Sequence, residues 1–516
     1  MATKANPKID QLNQHLFSDV GRGVKSRPLS EQRAPSARWM DYEQILTSPA
    51  LSFDPKAPGD KVLIGALGDQ LLGISDNRHM MTVAGSRAGK SVGLISNLMF
   101  YPGSMLATDP KGELAELTAL RRVELGQTVH VLDPFNRVSK KLKHLRASFN
   151  PMDILDLDGE SFLEDAAQIA DALVVTSAEN RDPHWDESAR NFIEGVIIHV
   201  ATDDEHAHAR DLITMRKLLA GALVVPSGGE RAGEKDPARF PLYSAMIRNA
   251  EDLARGADTE PVAYALRTAA QDFFTKAGNE LASVQSTVAR QTKFLDYPAF
   301  RRVLRKSTFK LSDLKTKGKP VSVYLCFPAT RAELSKRWMR LFVIQLLDAM
   351  ERDETVPEVP VLACLDEFPI LGHMRQLETA AGLIASFGVK LWFILQDWSQ
   401  GKALYGDRWE TFAGNAGVLQ FFGNNDMATA EYISRRLGKA QVETLNSSDV
   451  DSERAAQGMS GQSKTIQLFD LMTPDEIMRT FSRADPNKRQ LVLWAGRHPM
   501  ILQRVEYYSD LINRTL

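Results

Sequence analysis

The sequence predicts an α/β fold: a central, mostly parallel sheet interrupted by an inserted all-α domain. Two features predict the sheet. Short apolar runs alternate with stretches of helical spacing towards both ends of the chain. A glycine-containing turn, Ala84 to Ser91, lies between one such run and a helical stretch. A third feature predicts the insertion. From about Asn150-Pro151 to Val321 the apolar residues keep helical spacing, and no convincing strand occurs.

Taken in order, residues 1–55 read as a polar, proline-containing arm or docking tail with little core of its own. Residues 56–152 hold the first part of the sheet. Val62-Leu63-Ile64, Leu71 to Ile74 and His79 to Ala84 are short strands broken by Gly and Asp-Asn turns. The loop Gly85 to Gly89 and a helix from Lys90 towards Phe100 follow. Then come a strand at Ser104 to Thr108, a helix at Glu113 to Leu125 and a strand at Thr128 to Leu132. Residues 153–308 form the helical insertion, with helices at Phe162 to Val175 and Ser188 to Ala201 and a hydrophilic loop at Ser227 to Arg239. Residues 309–516 resume the sheet with Val321 to Phe327, Val361 to Leu365, Val389 to Leu395, Val418 to Phe422 and Leu491 to Trp494. The Ser- and Gly-rich stretch Asn446 to Lys464 is expected to be a mobile surface loop.

At 516 residues the chain exceeds one ordinary core. Hydrophobic residues at 43% and charged residues at 25% fit a globular protein and exclude collagen, a coiled-coil rod or global disorder. Cys326 and Cys364 each sit in an apolar run, which makes them buried thiols in a reducing compartment rather than metal ligands. A net charge of −2 excludes a globally basic nucleic-acid protein, so any DNA contact must use local positive charge. No apolar stretch is long enough to span a bilayer. The location expected from this composition is the cytosol.

The segment Ala84-Gly85-Ser86-Arg87-Ala88-Gly89-Lys90-Ser91 matches a phosphate-binding loop with Ala84 in place of the first glycine. Glycines let successive amides turn inwards on phosphate oxygens, and the helix N-terminus adds its dipole. Lys90 would reach the β- and γ-phosphates and Ser91 would ligate Mg²⁺. The plain alternative is an ordinary strand-to-helix turn with an exposed lysine. The apolar run Val361 to Leu365 ends in Asp366-Glu367, a pair costly to bury without a cation. Asp366 would hold Mg²⁺ and Glu367 would orient and deprotonate the attacking water. The alternative is an acid pair facing solvent. Gln396, closing the run Val389 to Leu395, is placed to contact γ-phosphate or the lytic water, or else is a turn residue satisfying backbone groups.

Further motifs follow in one order: Thr108-Asp109-Pro110-Lys111-Gly112-Glu113, Asp133-Pro134-Phe135, Phe149-Asn150-Pro151-Met152, Asp366 to Gly372, Ile394 to Gln400, Tyr405-Gly406, Asn415 to Gly423, Thr429 to Ser434 and Gly496-Arg497-His498-Pro499. The series, over residues 60 to 516, resembles the type IV secretion and conjugation coupling proteins, the TraG/TraD-like ATPases. Ala at the first loop position is common in that family.

The resemblance implies a RecA-like P-loop NTPase using ATP and Mg²⁺, a hexameric ring and an all-α domain facing substrate. Relaxase-bound single-stranded DNA, effector proteins and type IV secretion channel components are the partners implied. A nucleotide-regulated recruitment platform for protein substrates and a cytosolic FtsK/HerA-like DNA translocase are the alternatives. Two departures stand out. The membrane-spanning helices usual at the start of family members are absent from this sequence, as if it were a soluble form, so the resemblance implies a cytoplasmic protein, peripheral at a bacterial inner membrane with membrane contact only through partners. Ala385 replaces the arginine that some relatives carry three residues before the glycine matching Gly388, which leaves Arg375, Arg435 and Arg436 as candidate arginine fingers.

Remaining signals read as surface or core. The basic runs Lys140 to Arg146 and Arg301 to Lys306 suit either phosphates or a solvated face. His206 and His208 fit a helix end or loop better than a metal site, and Trp185 fits a helical-domain anchor better than a substrate contact.

Overall fold

The computed structural model describes residues 37–175, 184–222, 237–315, 318–447 and 462–514. Along the chain the strands are β1 (Val62–Leu67), β2 (Gln70–Ile74), β3 (His79–Ala84), β4 (Met105–Asp109), β5 (Thr128–Leu132), β6 (Val321–Cys326) and β7 (Val361–Leu365). They continue with β8 (Val389–Leu395), β9 (Ala416–Phe422), β10 (Lys439–Ser447), β11 (Gln462–Asp470), β12 (Arg489–Trp494) and β13 (Met500–Gln503). No described helix is long and apolar enough to cross a membrane.

The chain forms two compact units. The first holds the described residues of Met1–Gly103, Glu358–Pro369 and Gly388–Leu516. Its strands lie in the order β2-β1-β13-β12-β9-β3-β8-β7. β9, β3, β8 and β7 run parallel, and all are buried along their whole length. That burial explains their near-continuous apolar runs. β12, β13, β1 and β2 extend the sheet antiparallel from β9. This antiparallel half was not expected, because β13 is only four residues long and one of its two partners, β1, lies far away in sequence.

Two sequence expectations change in this unit. Residues 1–36 lie outside the described residues, but the end of the polar arm is built into the core. Asp41 caps a helix at Tyr42–Thr47, and Ile45 and Leu51 are each only 1% exposed. Phe53 packs edge-on against Phe100 at 6.3 Å, and Gly73 N–H donates to Leu51 O at 2.8 Å. Three apolar residues spread through a polar segment suffice to dock it once a sheet edge is available. The expected loop Asn446 to Lys464 is likewise strand at both ends, where β10 and β11 pair from Lys439↔Asp470 to Ser447↔Gln462. Residues 448–461 of that loop lie outside the described residues. Backbone pairing needs no apolar side chain, so polarity there did not exclude a strand.

The second unit holds the described residues of Ser104–Pro357 and Ile370–Phe387. β4, β6 and β5 form a parallel set with β6 in the middle. Between β5 and β6 the described residues contain helices and turns, including Phe162–Leu173, His184–Thr202, Leu212–Ala222, Pro241–Leu253, Glu260–Phe274 and Gly278–Thr292. Phe192 stacks on Phe273 at 3.5 Å and joins two of them. Most of the expected hydrophilic loop, residues 227–236, lies outside the described residues, and its end forms a 3-10 turn at Pro237–Arg239. Trp185 is half-buried beside His184 on the first turn of its helix. His206 closes a 3-10 turn and meets His199 edge-on, and both cysteines are buried.

One lysine in the first unit sits where a charge is costly. Lys390, in β8, is 1% exposed. Burial pushes its ammonium down to about 8, against the opposing pull of Asp60 and Asp76. Below about pH 8 the folded and unfolded chains both carry the proton, so the burial penalty is complete. Between there and the ordinary lysine value of 10.5 the folded chain sheds its proton first, and stability rises with pH. Lys390→Met is therefore expected to stabilise the protein at neutral pH, by up to ~3 kcal/mol for such a shift. Thermal melts of the two proteins should differ most at neutral pH and converge in alkali. A gap that widens with pH overturns this account.

Candidate nucleotide site

The site begins where β3 leaves the sheet between β8 and β9. Ala84, its last residue, packs against Ala88 and Phe422. Its backbone is not left-handed, so the missing first glycine costs nothing there. Gly85 has no such latitude. A methyl on it would lie 2.0 Å from Gly423 O, and one on Gly423 would lie 2.3 Å from Ala88 Cβ. The two glycines thus bring the loop directly onto the end of β9. Gly85 N–H donates to Phe422 O at 3.3 Å, and Gly423 N–H donates to Phe481 O at 2.6 Å.

Beyond Gly85 the chain curls. Arg87 (φ 59°) and Gly89 (φ 101°) are left-handed, a geometry that turns successive amides into one concavity. Ala88 N–H closes the turn on Gly85 O at 3.1 Å. Gly89 then caps the helix Lys90–Phe100, whose first-turn amides have no intrahelical acceptor and lie at its positive end. A methyl built on Gly89 meets nothing nearer than Val92 Cβ at 4.0 Å, so the concavity is open. Arg504 braces the loop from behind. It donates to Ala88 O at 2.6 Å and Lys488 O at 3.1 Å, and lies 5.4 Å over the Phe422 ring.

Lys90, Glu367 and Gln396 come together at the mouth of this loop. Lys90 Nζ lies 3.3 Å from Glu367 Oε1, with the lysine side chain 9% exposed. Gln396 Nε2 donates to both Glu367 carboxylate oxygens at 3.2 Å. Glu367 itself has φ 52°, which is rare for a residue with a side chain. Asp366, buried just past β7, accepts Glu367 N–H at 3.0 Å. Ser91 is half-buried on the first helical turn, next to Lys90. Gln396 N–H donates to Gln400 Oε1 at 3.0 Å, and Asp397 caps the helix Trp398–Tyr405, so the turn after β8 is held on both sides.

Two cavities flank the loop. One, of about 440 Å³, is lined by Arg87 to Lys90, Val92 and Gly93 of the loop and helix and reaches Glu506 and Tyr508. The other, of about 460 Å³, is lined by Gly85, Ser86, Gln396, Asp397 and Asp426. Arg483, with no motif around it, lines both. Arg435 lines a separate cavity with Trp398 and Trp409, while Arg375 and Ala385 belong to the second unit. Among the described residues, neither Arg435 nor Arg436 lines either of these two cavities. Arg483 and Arg504 were not singled out from the sequence, and Gly423 appeared there only as the last residue of the motif Asn415 to Gly423. Only contact across distant segments gives them a part in the site.

The chemistry of this arrangement suits a metal-bound polyphosphate. A helix-start concavity and an ammonium attract the anion, and a hydroxyl and a buried carboxylate are hard oxygen donors of the kind Mg²⁺ takes.

Comparison with known proteins agrees over nearly the whole chain. The family model for type IV secretory system conjugative DNA transfer matches residues 30–515. The conjugal transfer protein TraG of Escherichia coli is 28% identical over 479 residues, 86% of this chain and 70% of that protein. Protein VirD4 of Rhizobium radiobacter is 29% identical over 446 residues, 84% of this chain and 57% of its own length. The chain thus spans little more than half of that VirD4. Among solved structures, the unbound bacterial conjugative coupling protein TrwBdeltaN70 has a TM-score of 0.62 at 13% identity, covering 94% of this chain and 96% of that one. TrwB in complex with the ATP analogue ADPNP has a TM-score of 0.59 at 13% identity, covering 94% and 97%. These likenesses show the fold, a RecA-like P-loop NTPase with an additional helical region. With its phosphate-loop geometry and a family match running from residue 30 to residue 515, the chain belongs to the type IV secretory system conjugative DNA transfer family of TraG/VirD4-like coupling proteins.

Proposed function

We propose that this chain is an ATP-hydrolysing coupling protein. It recruits relaxase-bound single-stranded DNA, effector protein or both to a type IV secretion machine and drives their transfer as a homo-hexameric ring. The contact of Lys90 and Gln396 with Glu367, beside a phosphate loop in a chain of this family, carries the reading. Residues 56–152 and 309–516 form its nucleotide-binding domain, with 153–308 as an inserted helical domain and 1–55 as an arm. It works at the cytoplasmic side of the inner membrane, held there through its channel partners.

Lys90 exchanges Glu367 for a phosphate oxygen when nucleotide enters, and Glu367 stays hydrogen-bonded to Gln396. In that state Glu367 orients the attacking water and takes its proton. Gln396 holds the carboxylate and links its position to the turn after β8, so hydrolysis can be felt along the helix that Asp397 caps. Gly85 to Ser91 would hold the phosphates, and Ser91 and Asp366 would hold Mg²⁺. Mg²⁺ held there would supply neutralisation of the negative charge that develops in phosphoryl transfer.

ATP turnover with and without single-stranded DNA tests this reading. Glu367→Gln should lower kcat by about 10²- to 10⁴-fold while nucleotide affinity is retained, and Lys90→Ala should weaken both binding and turnover. Undiminished turnover in both variants would remove the catalytic assignment. Gly85→Ala tests the loop separately. Forcing a methyl into the Gly423 carbonyl should cost about 1–3 kcal/mol of stability and weaken binding of a fluorescent ATP analogue. Wild-type melting and affinity would show that the loop tolerates the displacement and that its contact with β9 is not needed.

A further inference from the structure

Two basic segments far apart in sequence meet on one face of the second unit. Arg302 Nη2 donates to Pro134 O at 2.6 Å, across 168 positions of chain. Phe300, on the same helix Pro298–Val303, packs edge-on against Phe135 at 5.3 Å. The Arg331 guanidinium lies 5.1 Å over that Phe135 ring. From the other side Arg146 donates to Asn136 Oδ1 at 2.7 Å and pairs with Asp133 at 3.7 Å. The turn Asp133 to Asn136 is therefore a hub. It gathers the basic 3-10 helix Lys140–Leu145, the helix ending in Arg301-Arg302 and the turn at Arg331.

The charge on this face is not neutralised. Lys140, Lys143, Arg302, Arg305, Lys306 and Arg331 are exposed, and none has a carboxylate partner among the described residues. Nearby acids are engaged locally. Glu116 accepts Ser139 N–H at 2.9 Å, Asp153 accepts Ser307 N–H at 3.2 Å and Asp313 accepts Lys310 N–H at 2.9 Å. In a chain of net charge −2, such a local excess is a departure from the whole. Tyr297, 41% exposed, heads the helix that carries Arg302. Cations on turns beside an exposed aromatic ring suit a flexible phosphate backbone with bases free to stack. A membrane surface would call for apolar side chains to insert, and the turns of this face carry cations instead.

We propose that this face is a binding track for single-stranded nucleic acid, with phosphates on the cations and a base stacked at Tyr297. The proposal rests on the reading of the chain as a motor for macromolecule transfer and gives that motor a contact surface outside its phosphate loop. The test is fluorescence anisotropy with a fluorescein-labelled oligo-dT of about 30 nucleotides, long enough to cover several sites. The triple variant Lys143→Glu/Arg305→Glu/Lys306→Glu uses exposed residues that hold no other part of the fold. It should bind at least tenfold more weakly, and its log K against log salt slope should be shallower by about 2, or ~0.7 for each lost phosphate contact. Melting temperature and affinity for a fluorescent ATP analogue should stay at wild-type values. Tyr297→Ala should weaken the strand further than Tyr297→Phe.

Wild-type affinity and salt slope in the triple variant overturn the proposal. So does unchanged DNA binding with lost adsorption to phosphatidylglycerol vesicles, which assigns the face to a membrane. Strand binding by a wild-type chain that does not hydrolyse ATP would sustain the track while removing the motor.

Discussion

The close approach of two glycines sets the site. Gly85 and Gly423 bring backbone against backbone where β3 and β9 end, with no room for a methyl on either. That contact fixes where the chain leaves the sheet. From it follow the curl through Arg87 and Gly89, the direction of the helix Lys90–Phe100 and the side from which Lys90 faces Glu367. Arg504, donating to Ala88 O, holds the same turn from the far side. A long basic side chain can do this because its guanidinium spans the gap between β13 and the loop while stacking on Phe422.

The electrostatics of the site rest on one carboxylate with two partners. Glu367 faces a lysine that is nearly buried and an amide that meets both its oxygens. Its left-handed backbone is a conformation that surrounding structure must enforce, and the hydrogen bond from its own N–H to Asp366 does part of that. The ion pair is only partly buried, so its net contribution to stability is modest. Its consequence is positional, because Lys90 and Glu367 are held close enough for an incoming anion to exchange one partner for another. The same principle operates on a wider scale in the second unit. There the turn Asp133 to Asn136 gathers cations by hydrogen bonds and ring contacts while leaving the outer ones without acid partners among the described residues.

Much of the site was legible because its parts are contiguous. Strand, loop and helix from His79 to Phe100 follow one another directly, and periodicity with a glycine-lysine-serine turn identifies such a unit. Asp366-Glu367 and Gln396 were legible for a related reason. Each ends an apolar strand, and parallel strands bring those ends to one edge of the sheet. The packing of Ile45, Leu51 and Phe53 was not legible, since isolated apolar residues carry no periodic signal. β13 was missed because four residues give too short a pattern to separate from a turn.

By itself, then, the sequence determined the α/β class, the phosphate loop and the acid and amide that face it, because each is written in a short local pattern. Only the tertiary structure decided that Gly423 shapes the loop, that Arg504 braces it and that Arg302 reaches Pro134. Those contacts join residues from 168 to 416 positions apart. Their identity depends on which backbone atoms come within an ångström of collision, a quantity that no local spacing of residues contains.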